Sequence, residues 1–176
     1  FSQSSMTTST ARGASSRKRK TEVPGQALGI GLQYTRLLQL LLQAHPGSAC
    51  SMEYLDDVAQ EDAQGVRLGQ SKSALTANPV ADRAKSLWKT LSNWVTLAGE
   101  GGCDPDRTVF EMYVSRPVSG PLVGAFSACT ELDTAQVAIE LARDTLWGEA
   151  PVHPKRSDVA SEIAPYVDKV FNAAPT

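Results

Sequence analysis

The sequence predicts an α/β fold in which a small mixed sheet is flanked by helices. Two observations carry this. Periodic segments occur in the order helix, strand, strand, helix, strand and then helices, and a long amphipathic segment links the last two strands. The 176 residues, 41% hydrophobic and 20% charged, suffice for one core of ordinary size.

The elements follow in order. Phe1–Ser5 read as an expression remnant ahead of a native start at Met6, and residues 1–25 read as a disordered basic leader, Ser/Thr-rich and almost without large apolar side chains. Residues 26–176 form the single domain, with order expected from about Gly29. Leu32, Leu37, Leu38, Leu40, Leu41 and Leu42, with Tyr34 among them, predict a helix ended by His45-Pro46-Gly47. So apolar a helix should be buried on more than one side. Ala49–Val58 and Val66–Ser71 read as two strands either side of a polar turn. Ala84, Leu87, Trp88, Leu91 and Val95 recur at helical spacing and predict a helix over Asp82–Leu97. Thr108–Ser115 reads as a strand, and Val123–Cys129 as a further candidate strand. Helices are expected over Thr134–Trp147 and Ser157–Phe171.

Charge and composition bound the function. The formal net charge of −2 conceals a basic leader and an acidic body. Arg12, Arg17, Lys18, Arg19 and Lys20 face no acid within the first twenty residues, leaving 12 basic against 19 acidic groups in the rest. The Arg17–Lys20 run could supply phosphate contacts, or remain a solvated arm. No apolar run reaches the length of a membrane span, and the opening residues lack the apolar core of a secretory signal. Cys50, Cys103 and Cys129 are odd in number and lack ligand-like spacing, so reduced core thiols of a cytosolic protein are expected. With His45 and His153 far apart, any metal should be held by oxygen.

One local conflict between pattern and polarity stands out. In Val66-Arg67-Leu68-Gly69-Gln70-Ser71-Lys72 the apolar face of Val66 and Leu68 continues into Gln70 and Lys72. In Glu53-Tyr54-Leu55-Asp56-Asp57 an unbroken strand would set Glu53, Leu55 and Asp57 on one face. Inward-facing charges are costly unless paired or bound to metal, so this conflict marks a candidate site. Phosphodiester hydrolysis needs these types: carboxylates (Asp57, Glu53), the Gln70 amide oxygen and the Ser71 carbonyl for Mg²⁺, with Lys72 beside the attacking water. A plain Gln and Lys at a strand end, with Glu53 and Asp56 in surface ion pairs, explains the same residues. Both readings stay open on the residues alone.

A resemblance favours the first. Gly31-Leu32-Gln33-Tyr34 opening a leucine helix precedes Met52-Glu53-Tyr54-Leu55-Asp56-Asp57-Val58, Gln70-Ser71-Lys72 and Leu87-Trp88-Lys89-Thr90-Leu91-Ser92-Asn93-Trp94. Together they resemble the PD-(D/E)XK nuclease domain at the N-terminus of bacterial antiphage effectors, in its Mrr-like Q-x-K form. Some such effectors carry a cyclic-oligonucleotide-sensing SAVED domain, as in CBASS endonucleases, and others pair with a HerA-type ATPase. The resemblance spans roughly Gly29 to Phe126. It implies a restriction-endonuclease-like core, on its own or as a fragment of a longer effector, that cleaves double-stranded DNA with Mg²⁺ or Mn²⁺ in antiphage defence. It also implies a homo-oligomer, or a partner sensor or ATPase subunit. Carried over, the first acid falls on Asp57 or Glu53 and the second half-motif on Gln70 and Lys72. Gln70 replaces the usual acid, leaving the metal site one charge weaker.

Other signals were weighed. Gly29-Ile30-Gly31 lacks the third glycine of a dinucleotide fingerprint. Trp88 fits core packing better than base stacking, and Trp94 fits either. Lys85 and Lys89, four apart, could track a phosphate backbone, but a solvated face suits them better. A nuclease fold that binds DNA or oligomerises without cutting, and a scaffold with no site, remain the competing functions.

Overall fold

The computed structural model describes residues 24–147 and 159–173; the basic leader, including Arg17, Lys18, Arg19 and Lys20, lies outside them. The elements are α1 (Pro24–Gln43), β1 (Ala49–Met52), β2 (Val58–Glu61), β3 (Val66–Lys72), α2 (Lys85–Gly99), a 3₁₀ turn (Pro105–Arg107), β4 (Thr108–Val114), α3 (Pro121–Ser127), α4 (Leu132–Trp147) and α5 (Ala164–Phe171). They build an α/β fold on a four-stranded mixed sheet of order β1-β2-β3-β4. β1, β2 and β3 are antiparallel neighbours, and β4 runs parallel to β3 over seven registered pairs, Val66↔Thr108 to Lys72↔Val114. A parallel pair needs a crossover, and α2 supplies it.

Local chemistry sets the turns. Between β2 and β3, Asp62 and Gly65 exchange backbone hydrogen bonds, while Asp62 Oδ1 accepts from the Gln64 and Gly65 N–H groups. Gly65 has φ +153, and a Cβ there would lie 2.1 Å from the Arg107 carbonyl oxygen. Only glycine lets this turn approach the start of β4 so closely.

Five expectations are corrected. The segment Ala49–Val58 is not one strand: a bend over residues 53–57 divides it into β1 and the start of β2. The candidate strand Val123–Cys129 is helical instead. Pro121 stands in the first turn of α3, and the Asp82 carboxylate accepts the Leu122 N–H at 3.1 Å. Asp82 thus sits ahead of α2, where its backbone carbonyl also accepts the Trp88 indole N–H at 2.7 Å. The helix expected from Ser157 begins, within the described residues, at Ala164 with Pro165 in its first turn. Finally, α1 buries only one side. Leu40 and Arg36 are covered, but Ile30, Tyr34, Leu38, Leu41 and Leu42 form an exposed apolar stripe. The three cysteines are unpaired and half-buried rather than core residues.

The two sheet faces are held differently. The α2 face carries the apolar core, where Leu87 and Trp88 meet Leu122, Leu146, Ile163, Val167 and Phe171. Trp88 is fully buried and meets Phe126 and Phe171 edge-on, with centroids 6.4 and 5.6 Å away. The α1 face is held by charge. Arg36 reaches from α1 to Glu111 on β4 and lies over the Tyr113 ring at 5.6 Å, while Arg67 on β3 binds the other Glu111 oxygen at 2.8 Å.

The Arg36 side chain is only 9% exposed and Glu111 32%. Removing one partner of such a pair leaves a desolvated charge behind. Arg36→Ala should therefore lower the unfolding free energy by about 3 kcal/mol in urea denaturation. A loss below about 1 kcal/mol would show that Arg67 alone satisfies Glu111.

Candidate active site

The site begins where β2 stops covering β3. The last registered pair of those strands is Val58↔Gly69. Ser71, two residues on, directs its N–H toward the same edge with no strand residue to receive it. Asp57 takes that place, its Oδ2 accepting the Ser71 N–H at 2.8 Å. N–H and C=O of one strand residue point to the same side, so the Ser71 carbonyl also faces the Asp57 edge. The neighbouring Lys72 carbonyl points the other way and accepts the Ser115 N–H at 3.0 Å.

The bend ahead of β2 brings Asp57 there. Glu53 adopts φ 56, in the left-handed region, which costs a non-glycine residue about 1–2 kcal/mol. Its N–H donates to the Asp57 carbonyl at 3.2 Å, closing the bend, and Asp56 Oδ1 accepts the Asp57 N–H at 2.9 Å. The same bend takes Glu53 out of the group. Its side chain is exposed, and Oε1 accepts from Gln33 Nε2 of α1 at 2.7 Å. Glu53 and Asp57 therefore do not share a strand face, because the strand that would have aligned them is interrupted.

Alternation along β3 carries Gln70 and Lys72 to the α2 face. Leu68 pairs with Phe110, and Phe110 stacks at 5.1 Å against Trp94 of α2, which fixes the sense of that face. Lys72 is half-buried beside Asp57 and Asp56. Burial lowers its proton affinity, as does the like charge of Lys89, while the two aspartates pull the other way. Asp56 is pushed up, first by burial and then by the charge of Asp57. Hydrogen bonds from the Trp94 indole at 2.7 Å and from the Asp57 N–H, with the Lys72 charge, oppose that rise.

Sequence reasoning had singled out Asp57, Gln70, Ser71 and Lys72, and the fold sets all four at one end of β3. It missed the grip of Trp94 on Asp56. The signal available was an indole on the sheet-facing side of an amphipathic helix, which needs a partner for its N–H. Trp94, Asp56 and Asn93 line a polar cleft of about 300 Å³ with Leu55, Thr96, Leu97 and Glu100. A larger groove of about 1000 Å³ between β4 and the helices is apolar, with Arg116 its one charged lining residue among the described residues.

The donors suit a hard divalent cation. Asp57 Oδ1 makes no hydrogen bond among the described residues, the Ser71 carbonyl faces the same edge, and Gln70, one residue back along β3, carries an amide oxygen. No three His, Cys, Asp or Glu side chains form a ready cage among the described residues. One or two carboxylates are the usual protein share for Mg²⁺, which keeps several waters. The chain matches no protein-family model, no curated protein and no solved structure.

The two shifted groups give stability a signature with pH. Asp56 binds its proton more tightly when folded, so the folded chain holds more protons than the unfolded one just above the ordinary value of 3.8. Stability should fall as pH rises through that window to the raised value. Lys72 releases its proton earlier when folded, so stability should rise again as pH climbs toward 10.5. Asp56→Asn should remove the acid-side fall while keeping an acceptor for Trp94. Urea midpoints followed across that window would contradict this if variant and wild type fell alike.

Proposed function

We propose that the chain is a restriction-endonuclease-like, PD-(D/E)XK-type domain that hydrolyses double-stranded DNA with Mg²⁺ or Mn²⁺. The observation that carries the reading is the convergence of Asp57 and Lys72 at the open end of β3, with Ser71 bonded to Asp57. A carboxylate, a strand carbonyl, an amide oxygen and a desolvated ammonium are the groups this hydrolysis uses. The order helix, three antiparallel strands, crossover helix and parallel strand is compatible with that core. The resemblance in the motifs around Glu53, Gln70 and Lys89 points the same way.

In this reading Asp57 Oδ1, the Gln70 amide oxygen and the Ser71 carbonyl would hold a divalent cation, which when bound would supply charge neutralisation at the scissile phosphate and a lowered pKa for a water. Ser71 fixes the Asp57 carboxylate through its N–H, so that one oxygen keeps its direction. Lys72 keeps its proton on Nζ and donates hydrogen bonds to the attacking water and to a non-bridging phosphate oxygen. The water oxygen bonds to phosphorus as the bridging P–O bond breaks, the water's proton passing to bulk solvent and the leaving sugar oxygen taking up a proton from it. Charge that accumulates on the phosphate is met by Lys72 from a half-buried position, where it acts more strongly than in water. Asp56 holds α2 to the site through Trp94. Glu53 acts from outside this group, steadying the bend against α1.

The basic leader would add phosphate contacts through Arg17, Lys18, Arg19 and Lys20, and the exposed stripe of α1 would be covered by a second copy or by a sensor or ATPase subunit. Antiphage defence in the cytoplasm is the setting that the resemblance implies. Among the described residues no helix is long and apolar enough to cross a membrane. The second reading, a nuclease fold that binds DNA without cutting, draws on the short carboxylate set.

Plasmid incubated with the chain separates the two. Cutting in Mg²⁺ but not in EDTA is expected, and Lys72→Ala and Asp57→Ala should each lose on the order of 10²-fold or more in rate. Their affinity for uncut duplex in EDTA should stay near wild type. Wild-type rates in Lys72→Ala would remove the assignment, and binding without cutting in every arm would favour the second reading.

A further inference from the structure

Spacing alone favours a solvated face over a phosphate track for Lys85 and Lys89 of α2, and the fold bears on that choice. Trp94 pins α2 over the acidic bend, through its indole N–H to Asp56 and its ring against Phe110. Asn93, beside it, lines the polar cleft that Asp56 also lines. Lys89 stands one turn before Asn93 and Lys85 one turn before that, on the same helical stripe. Thr96 continues the row into the cleft. Lys85, Lys89 and Asn93 are exposed.

This stripe presents hydrogen-bond donors and no carboxylate from Lys85 to Thr96; Glu100 closes it at the far end. No carboxylate pairs with Lys85 or Lys89 among the described residues. Lys89 also lies close enough to Lys72 for its like charge to be felt there, though less than burial and the two aspartates. A polyanion passing along the stripe would meet these unpaired positive charges and be attracted by them.

We propose that the exposed stripe of α2 is a phosphate-binding track for one strand of duplex DNA, with Lys89 gripping the phosphate beside the one that Lys72 faces. Lys85 holds the next phosphate along, and Asn93 and Thr96 donate at the cleft end. The inference rests on the proposed cleavage site for its direction, and it adds the element that positions the substrate there. Lys89 is a positioning residue: it sets where the backbone lies, and Lys72 meets the phosphate that reacts.

The test reads salt dependence, which needs no cutting. Anisotropy of a short fluorescent DNA duplex is titrated with the full chain in EDTA at several salt concentrations. Lys89→Ala should reduce the slope of log affinity against log salt by about one unit, and Lys89→Arg should restore it. Arg107→Ala removes the same charge at the opposite end of β4, where Arg107 donates to the Ala63 carbonyl, and should leave the slope unchanged. At saturating duplex in Mg²⁺, Lys89→Ala should also cut on the order of tenfold more slowly, because the phosphate is less well placed. Equal slopes for wild type and Lys89→Ala overturn the track, as does an equal fall in Arg107→Ala. A Lys89-dependent slope in a chain that never cuts would keep the track and remove the cleavage reading. Normal cutting and an unchanged slope in Lys89→Ala would do the reverse.

Discussion

β3 runs past the end of β2, and the hydrogen bond from the Ser71 N–H to Asp57 Oδ2 is what closes the gap. Were that N–H paired by an ordinary strand residue, the ladder would continue and the Ser71 carbonyl would be consumed by it. Were it left bare, a half-buried donor would go unsatisfied, at a cost of about 1–3 kcal/mol. A side-chain acceptor resolves both. It satisfies the donor, leaves the carbonyl on the open edge, and ties the acidic bend to the strand that carries Lys72. The bend that carries Asp56, and with it the Trp94 cleft beside α2, is held to β3 through that carboxylate.

The anchoring opposes stability. Asp56 and Lys72 are both partly desolvated, and each binds or releases its proton at the wrong pH for the fold. Glu53 adds a left-handed backbone that a glycine would occupy more easily. These strains gather at one end of the sheet. On the opposite face Arg36, Glu111 and Arg67 form a linked ion network, and the α2 side carries a dense apolar core around Trp88. A site that conflicts with the fold is thus set between two elements that hold the fold together. Such conflicts are expected where side chains are placed for chemistry.

What was legible in the sequence was periodic. Val66, Leu68, Gln70 and Lys72 alternate without interruption, and β3 is a regular strand, so their shared face followed from spacing alone. The helix around Leu87, Trp88 and Leu91 and the strand at Phe110 were legible for the same reason. The rest depended on partners far away in the chain. Glu53 looked aligned with Asp57 because nothing in Glu-Tyr-Leu-Asp-Asp announces a positive φ; the bend is fixed by bonds to Gln33 and Asp57. Val123–Cys129 is apolar enough for a strand, and only Pro121 and the distant Asp82 turn it into a helix. The burial of α1 was overread because its leucines speak of apolar surface, not of what covers it. Trp94 could not be assigned until Asp56 was seen to take its N–H.

The proposed chemistry turns on the open edge of β3 being a cation site built on Asp57. Soaking crystals of the chain with Mn²⁺ and recording anomalous scattering tests it most directly. The expected result is one peak at roughly 2.1–2.2 Å from Asp57 Oδ1, a hard-cation distance, with the Ser71 carbonyl and the Gln70 amide oxygen as further ligands. Absence of a peak at Asp57 in fully soaked crystals, or a peak held by other residues such as Glu100, would contradict it.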